Sequence, residues 1–173
     1  MKNKIKIIAL IGKAGAGKDY LLQELLKTND YHEIVSCTTR LPREGEVDGK
    51  NYYFMKEGEF FNSVKNNEML EFTCFNGWFY GTPLKGLSQD KVNIGVFSPD
   101  GVRHLLKNKN LQIDVRYVRA LDKTRLLRQL NREENPDVKE IIRRWQTDEK
   151  DFSNLDFQYI EHWNDSFRTK KDN

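Results

Sequence analysis

Arg40 and Arg43 stand three residues apart in a stretch, residues 38–51, that holds Pro42, Gly45 and Gly49 among charges and has no periodicity, the pattern of an exposed loop. Guanidinium forks spaced this way after a strand can converge on one doubly charged phosphate, each gripping it with a pair of N–H groups. A second phosphate-directed pattern lies upstream. Gly12-Lys13-Ala14-Gly15-Ala16-Gly17-Lys18-Asp19 satisfies GxxxxGK, with the β-branched run Ile5 to Ile11 before it and Leu21, Leu22, Leu25 and Leu26 at helical spacing after it. Glycines let the backbone turn its N–H groups toward phosphate oxygens, and a helix beginning near Lys18 adds its positive end. Lys18 is then expected to bridge the β- and γ-phosphates of a nucleoside triphosphate. The next position is normally Ser or Thr, whose hydroxyl ligates Mg²⁺; here it is Asp19. A carboxylate beside a triphosphate is repelled unless it faces the metal, so Asp19 is predicted to point at Mg²⁺, directly or through a water.

The elements that must position these residues read as alternating strands and helices. After the helix that follows the glycine loop, Glu33 to Cys37 reads as a second strand, Tyr52 to Met55 as a short third, and residues 56–67 as a helix with Phe60, Phe61 and Val64 on one side. Met69 to Phe75 and Trp78 to Tyr80 flank Asn76-Gly77, a hairpin signature, so this stretch is expected to be antiparallel. Strand patterns return at Val92 to Phe97 and Ile113 to Val118, with a helix from Asp100 to Lys107 between them. Leu121 to Leu130, and then Val138, Ile141, Ile142, Trp145 and Phe152, mark two amphipathic helices around the polar segment Asn131 to Asp137, while Tyr159 and Ile160 close the sheet. The tail from Ser166 to Asn173 is expected to fray. The alternation implies an α/β fold, and 173 residues suit one domain able to bury roughly 70% of its unfolded surface.

Composition narrows the function. With 29 basic and 26 acidic residues the net charge is +3, which gives no electrostatic ground for a nucleic-acid partner. The longest apolar run, Ile7 to Ile11, is far short of a membrane span, so a cytoplasmic protein is expected. Cys37 and Cys74 have neither CxxC spacing nor close pairing, which suggests two reduced thiols rather than a disulfide or zinc site. His32, His104 and His162 stand in ordinary contexts, with no nucleophile–base pattern around them.

The run Ser36-Cys37-Thr38-Thr39-Arg40-Leu41-Pro42-Arg43-Glu44-Gly45-Glu46-Val47-Asp48-Gly49-Lys50-Asn51-Tyr52-Tyr53-Phe54 closely resembles the guanylate kinase signature S-x-x-T-R-x-P-R-x-G-E-x-x-G-x-x-Y-x-F and matches every specified position. Asn66 to Phe72, followed by Trp78-Phe79-Tyr80-Gly81-Thr82, resembles the family's second acceptor element, and Arg128 to Arg132 with Arg143-Arg144 resembles its lid. The resemblance covers about residues 5–165. It implies a P-loop NTPase three-layer fold with a central parallel sheet, a small mixed or antiparallel NMP-binding region over about 38–82 and a helical lid over about 128–145, with the core in about 1–37, 83–130 and 146–165. It further implies ATP-dependent phosphorylation of GMP or dGMP with Mg²⁺. Gly12, Lys13, Ala14, Gly15, Ala16, Gly17, Lys18, Asp19 and Arg128 are the implied ATP site, and Lys18, Arg132, Arg143 and Arg144 the implied catalytic cations. Arg40, Arg43, Tyr52 and Tyr80 hold the acceptor phosphate, with Ser36 lining the pocket, while Glu71 accepts from guanine N1 and N2 and Thr82 reaches O6. A carboxylate suits guanine because those positions present adjacent donors, whereas adenine presents an acceptor at N1.

The chain departs from the family where a strand of the type I-D-x-Q-G carries acids near the base and metal. Val96 and Ser98 stand there instead, with Asp100 as a displaced substitute. The run Gly-Lys-x-x-x-Gly-Lys-Asp also resembles the loop of some phage deoxynucleoside monophosphate kinases. Two other readings follow: a deoxynucleoside monophosphate kinase of other or broader base specificity, and an inactive guanylate-kinase-like module that binds phosphopeptides. A monomer or homodimer fits either enzyme.

Overall fold

The computed structural model of the chain describes residues 4–43, 45–75 and 77–164. Strand β1 (Ile5–Ile11) leads through the glycine loop into helix α1 (Lys18–Leu26), then β2 (Tyr31–Glu33), β3 (Cys37–Thr38), β4 (Tyr53–Phe54) and helix α2 (Glu57–Lys65). The hairpin β5 (Met69–Phe75) and β6 (Trp78–Pro83) follows, then β7 (Val92–Val96), α3 (Pro99–Leu106), β8 (Leu111–Arg119), α4 (Asp122–Leu130), α5 (Val138–Asp151) and β9 (Ile160–Trp163).

The β-branched run of β1 takes the central place because both of its faces are covered. It pairs in parallel with β7 on one side and β8 on the other, within a sheet of order β2-β7-β1-β8-β9. Ile7, Ala9 and Ile11 point to one face, where they meet Val102 and Leu105 of α3 and the partly buried Phe152 after α5. Ile8 and Leu10 point to the other, against Leu21 and Leu22 of α1. Period-2 alternation thus divides one strand between two cores, giving helix, sheet and helix in three layers.

A second sheet, of order β4-β3-β6-β5, is mixed: β3 pairs with β4 in parallel and with β6 antiparallel. Its core is aromatic. Phe60 of α2 is fully buried, edge-on to Phe61 and Phe72 and tilted against Phe79 at 5.8 Å between ring centroids. Gly81 makes room for it, since a Cβ there would stand 3.1 Å from the Phe60 ring.

The strand expected over Glu33 to Cys37 is in fact two strands in different sheets. Ile34 N–H still donates to Ile94 of the first sheet at 2.8 Å, while the Ser36 carbonyl already accepts from Tyr53 N–H of the second at 2.9 Å. The backbone changes partners within three residues, and hydrophobic pattern alone does not mark that point. The expected closing strand is real but longer, β9 pairing in parallel with β8 over Arg116 to Arg119. Asn76 of the hairpin turn and the tail Ser166 to Asn173 lie outside the described residues. No helix among the described residues is long and apolar enough to cross a membrane.

Phe60→Ala removes the buried centre of the second sheet while leaving β1 and its glycine loop alone. Urea unfolding is expected to show a loss of about 3–5 kcal/mol, the range for truncating a fully packed Phe; a loss under 1 kcal/mol would contradict the packing described.

Candidate functional site

The loop 12–18 has the backbone its glycines allow. Gly15 and Gly17 have φ of 78° and 94°, left-handed values that L side chains rarely adopt. A Cβ on Gly15 would also stand 2.5 Å from the Arg125 carbonyl oxygen, and one on Gly17 would overlap the Asn164 side chain. Lys18 folds over the loop and donates to the carbonyls of Gly12 at 2.6 Å and Lys13 at 3.3 Å. Burial pushes its ammonium below the usual lysine range, with Asp19 and Asp148 pulling the other way. Asp19, in the first turn of α1, is exposed, and its charge is felt at Lys18, Glu33 and Tyr52. It therefore stands between the glycine loop and the arginine loop. Arg128 braces the loop from α4, donating to Gly15 and Ala16 carbonyls at 3.1 and 3.3 Å and to the Asn164 carbonyl at 2.9 Å.

The arginine loop is pre-formed by its own carboxylate. Arg40 grips Glu46 with both Nη atoms, at 2.9 and 2.8 Å, and lies over the Tyr52 ring at 5.4 Å and the Phe54 ring at 5.7 Å. Glu46 also accepts from the Arg43 N–H at 2.7 Å, which fixes the turn between the two arginines. Tyr80 meets Tyr52 edge-on at 6.0 Å. Burial, then the charges of Arg144 and Arg40, push the Arg43 guanidinium below its usual range. Arg40 and Arg43 on one loop thus feel one another's charge, and Arg144 of α5 adds to the field at Arg43, a field that attracts an anion. Ser36 contributes its backbone carbonyl to this region through Tyr53.

Glu71 and Thr82 sit opposite each other on β5 and β6, both buried, with the Thr82 hydroxyl donating to Glu71 Oε1 at 2.7 Å. The other oxygen faces the start of α3, where a Cβ on Gly101 would stand 3.2 Å from Oε2. Burial raises the Glu71 carboxyl to about 7, the Thr82 hydrogen bonds opposing the rise. Neither Ser98 nor Asp100 supplies the acid that the β7 strand lacks. Ser98 caps α3, accepting from Gly101 N–H at 3.1 Å, and Asp100 turns out to Arg103 at 2.6 Å with its side chain 74% exposed.

On α5, Arg143 donates to both oxygens of Glu140 at 2.7 and 2.8 Å and Arg144 to one at 2.7 Å, which holds the Glu140 carboxyl down at about 2. Arg132 lies past the end of α4, exposed, and the described contacts do not draw it toward the others. Three residues absent from the sequence reading join the site: Arg125, 2% exposed behind the loop, and Asp148 and Glu149, which reach Ala14 and Lys13. Spacing hid them, because they come from α4 and α5, over 100 residues after the loop they touch. A signal was present in the buried-face position of Arg125 on an otherwise amphipathic α4.

The guanylate kinase family model matches residues 4–170. The guanylate kinase of Mesoplasma florum is 43% identical over 116 residues, 63% of this chain and 39% of that protein. That of Rickettsia prowazekii is 43% identical over 120 residues, 66% of this chain and 60% of that protein. The match thus takes in less than two thirds of the length of either relative. The crystal structure of guanylate kinase from Anaplasma phagocytophilum has the same fold, with a TM-score of 0.69, 20% identity, and coverage of 96% of this chain and 80% of that one.

Glu71 makes a stability prediction with a definite sign. Its folded-state value of about 7 exceeds the ordinary 4.5, so the folded protein holds that proton more tightly than the unfolded chain does. Ionised Glu71 therefore costs stability, up to roughly 3 kcal/mol, a cost that is absent below the unfolded value, builds between the two values and is complete above the higher. Glu71→Gln keeps an acceptor for Thr82 without the charge. Urea midpoints are expected to place it above the wild type at pH 8 and level with it near pH 4.5; an offset that does not change with pH would refute the account.

Proposed function

Because the chain belongs to the guanylate kinase family, we propose that it transfers the γ-phosphoryl group of ATP to GMP or dGMP. The observation that carries this reading is the pairing of the arginine loop, with Arg40 and Arg43 just after β3, with a buried Glu71–Thr82 pair on β5 and β6 of the same small sheet. A phosphate cluster and a base-edge acceptor together suit a purine monophosphate with donors at N1 and N2. A site that depends on such hydrogen bonds can reject a base lacking the donors by about 10⁴-fold, since the buried carboxylate would be left unpaired.

The roles divide by element. The loop Gly12 to Lys18 cradles the donor phosphates with its N–H groups, with Lys18 leaving its loop carbonyls for the β- and γ-oxygens. Arg128 holds that loop from beneath. Arg40, Arg43, Tyr52 and Tyr80 hold the acceptor phosphate, Ser36 lines its pocket, and Glu71 with Thr82 read the base. Arg144 and Arg143, released from Glu140, bring positive charge to the phosphoryl group in transit, with Arg132 reaching it only if its segment closes. Transfer is in line, with no covalent intermediate, and the protein contributes position and electrostatics.

Mg²⁺ fits as a cation held chiefly by phosphates and water. No cluster of three or more metal-ligating side chains occurs among the described residues, and the exposed Asp19 carboxylate beside Lys18 offers a single hard oxygen donor. Bound there, Mg²⁺ supplies neutralising charge to the β- and γ-oxygens. The complete Gly-Lys loop favours this enzyme over a phosphopeptide-binding module, which has no use for a phosphate cradle.

A coupled ADP-release assay over GMP, dGMP, AMP, UMP and dTMP is expected to give turnover with the guanine nucleotides and little with the rest; equal turnover with AMP would refute the base assignment. Arg43→Ala is expected to lower kcat/KM for GMP roughly 100-fold, the scale for losing one arm of a charged pair. Since the acceptor needs ionised Glu71, KM for GMP should rise as pH falls below about 7, and a flat profile from pH 8 to pH 5.5 would refute that role. Asp19→Ala should lose activity most at limiting Mg²⁺; full activity there removes Asp19 from the metal site.

A further inference from the structure

The C-terminal half of α5 is clasped to the glycine loop at consecutive residues. Asp148 accepts from the Ala14 N–H at 2.6 Å, and Glu149 pairs with Lys13 at 2.6 Å. Behind them the Arg125 guanidinium donates through Nε to the Ala14 carbonyl at 3.1 Å and ion-pairs through Nη2 with Asp148 at 3.5 Å. That Nη2 is buried and makes no hydrogen bond among the described residues. Trp145 covers the guanidinium, its ring centroid 4.2 Å away. Arg144, whose charge reaches Arg43, lies four residues before Asp148 and so on the same face of the same helix. One helix thus touches the donor loop at Asp148 and Glu149 and carries Arg144, whose charge acts on Arg43, one turn earlier.

The contact is suited to an empty loop and unsuited to a full one. N–H groups of a glycine loop at the start of a helix attract anions, and Asp148 is the anion this loop holds when it has no other. A triphosphate arriving there meets a carboxylate already seated on the backbone and shielded from water, where like charges repel strongly. We propose that Asp148 is a positioning residue that stands in for a donor phosphate oxygen, occupying the Ala14 N–H while the loop is empty and vacating it when ATP binds, and that its departure carries Arg144 toward the phosphates being joined. Arg125 is the counter-ion of both states: it neutralises Asp148 in the first and turns its unbonded Nη2 to the incoming phosphate in the second. Donor binding and lid movement are then one equilibrium, with the carboxylate setting its position. This rests on the assignment of ATP to the glycine loop.

A brace and a stand-in predict opposite results. If Asp148 merely supports the loop, removing it loosens the cradle and weakens binding; if it competes with phosphate, removing its charge strengthens binding. Calorimetry with Mg·ATP on the full chain is expected to give Asp148→Asn and Asp148→Ala about tenfold lower Kd than the wild type, because neither must expel a charge from the loop. The second readout is Trp145 emission in a Trp78→Phe/Trp163→Phe background, which leaves it the only tryptophan. Saturating Mg·ATP is expected to shift that emission in the otherwise wild-type chain, while Asp148→Asn starts near the shifted position. Unchanged or weaker binding in both variants overturns the proposal, as does Trp145 emission that stays constant while calorimetry records bound ATP. Inorganic tripolyphosphate, which carries the charge without the base, is expected to rank the variants in the same order; a wild type that binds it but not ATP overturns the donor assignment and leaves the stand-in to be judged on that ranking.

Discussion

Guanidinium and ammonium groups gathered in one part of a protein repel one another until something neutralises them. In this chain the neutralising groups are internal carboxylates, one beside each cationic element: Glu46 on Arg40, Glu140 on Arg143 and Arg144, Glu149 on Lys13, and Asp122 with Asp148 on Arg125. The pairs through Glu149 and Asp122 have an exposed carboxylate and add little to stability. Their effect is on geometry. Arg40 is locked between the Glu46 carboxylate and the rings of Tyr52 and Phe54, which fixes the position of its guanidinium.

The fold hangs these charged elements from two sheets. The glycine loop hangs from β1, the most deeply buried strand, and can hold left-handed backbone because packed sheet lies behind it. The arginine loop hangs from β3, where the chain has just left the core sheet for the aromatic one. Helix α5 touches the glycine loop through Asp148 and Glu149.

Glu71 shows the cost of specificity in the same molecule. A buried carboxylate with a single hydroxyl for company destabilises the fold at neutral pH, and nothing in the packing of β5 requires a charge there. Under the proposed function it meets a base edge rich in donors. Strain of this kind, kept at a site and offset by the core elsewhere, is common where binding is demanded of a fold.

Local chemistry is what the amino-acid sequence determined unaided. The GxxxxGK loop between a β-branched run and an amphipathic helix, the Ser36 to Phe54 signature and the Glu71–Thr82 element were all legible, because each is written in contiguous residues whose backbone demands are local. The strands and helices around them were legible too, apart from the division of Glu33 to Cys37 between two sheets, where hydrophobicity continues while hydrogen-bond partners change. Tertiary structure alone decided which charges meet. It sent Asp100 out to Arg103 when spacing had offered it as a substitute acid, used Ser98 as a cap, and left Arg132 exposed beyond α4. It also brought Arg125, Asp148 and Glu149 to the glycine loop, more than 100 residues away in sequence. The physical reason is that a cradle or a hairpin depends on backbone torsions set by neighbouring residues, whereas a counter-ion can come from any element that packing delivers within a few ångströms, and its identity is not encoded by spacing.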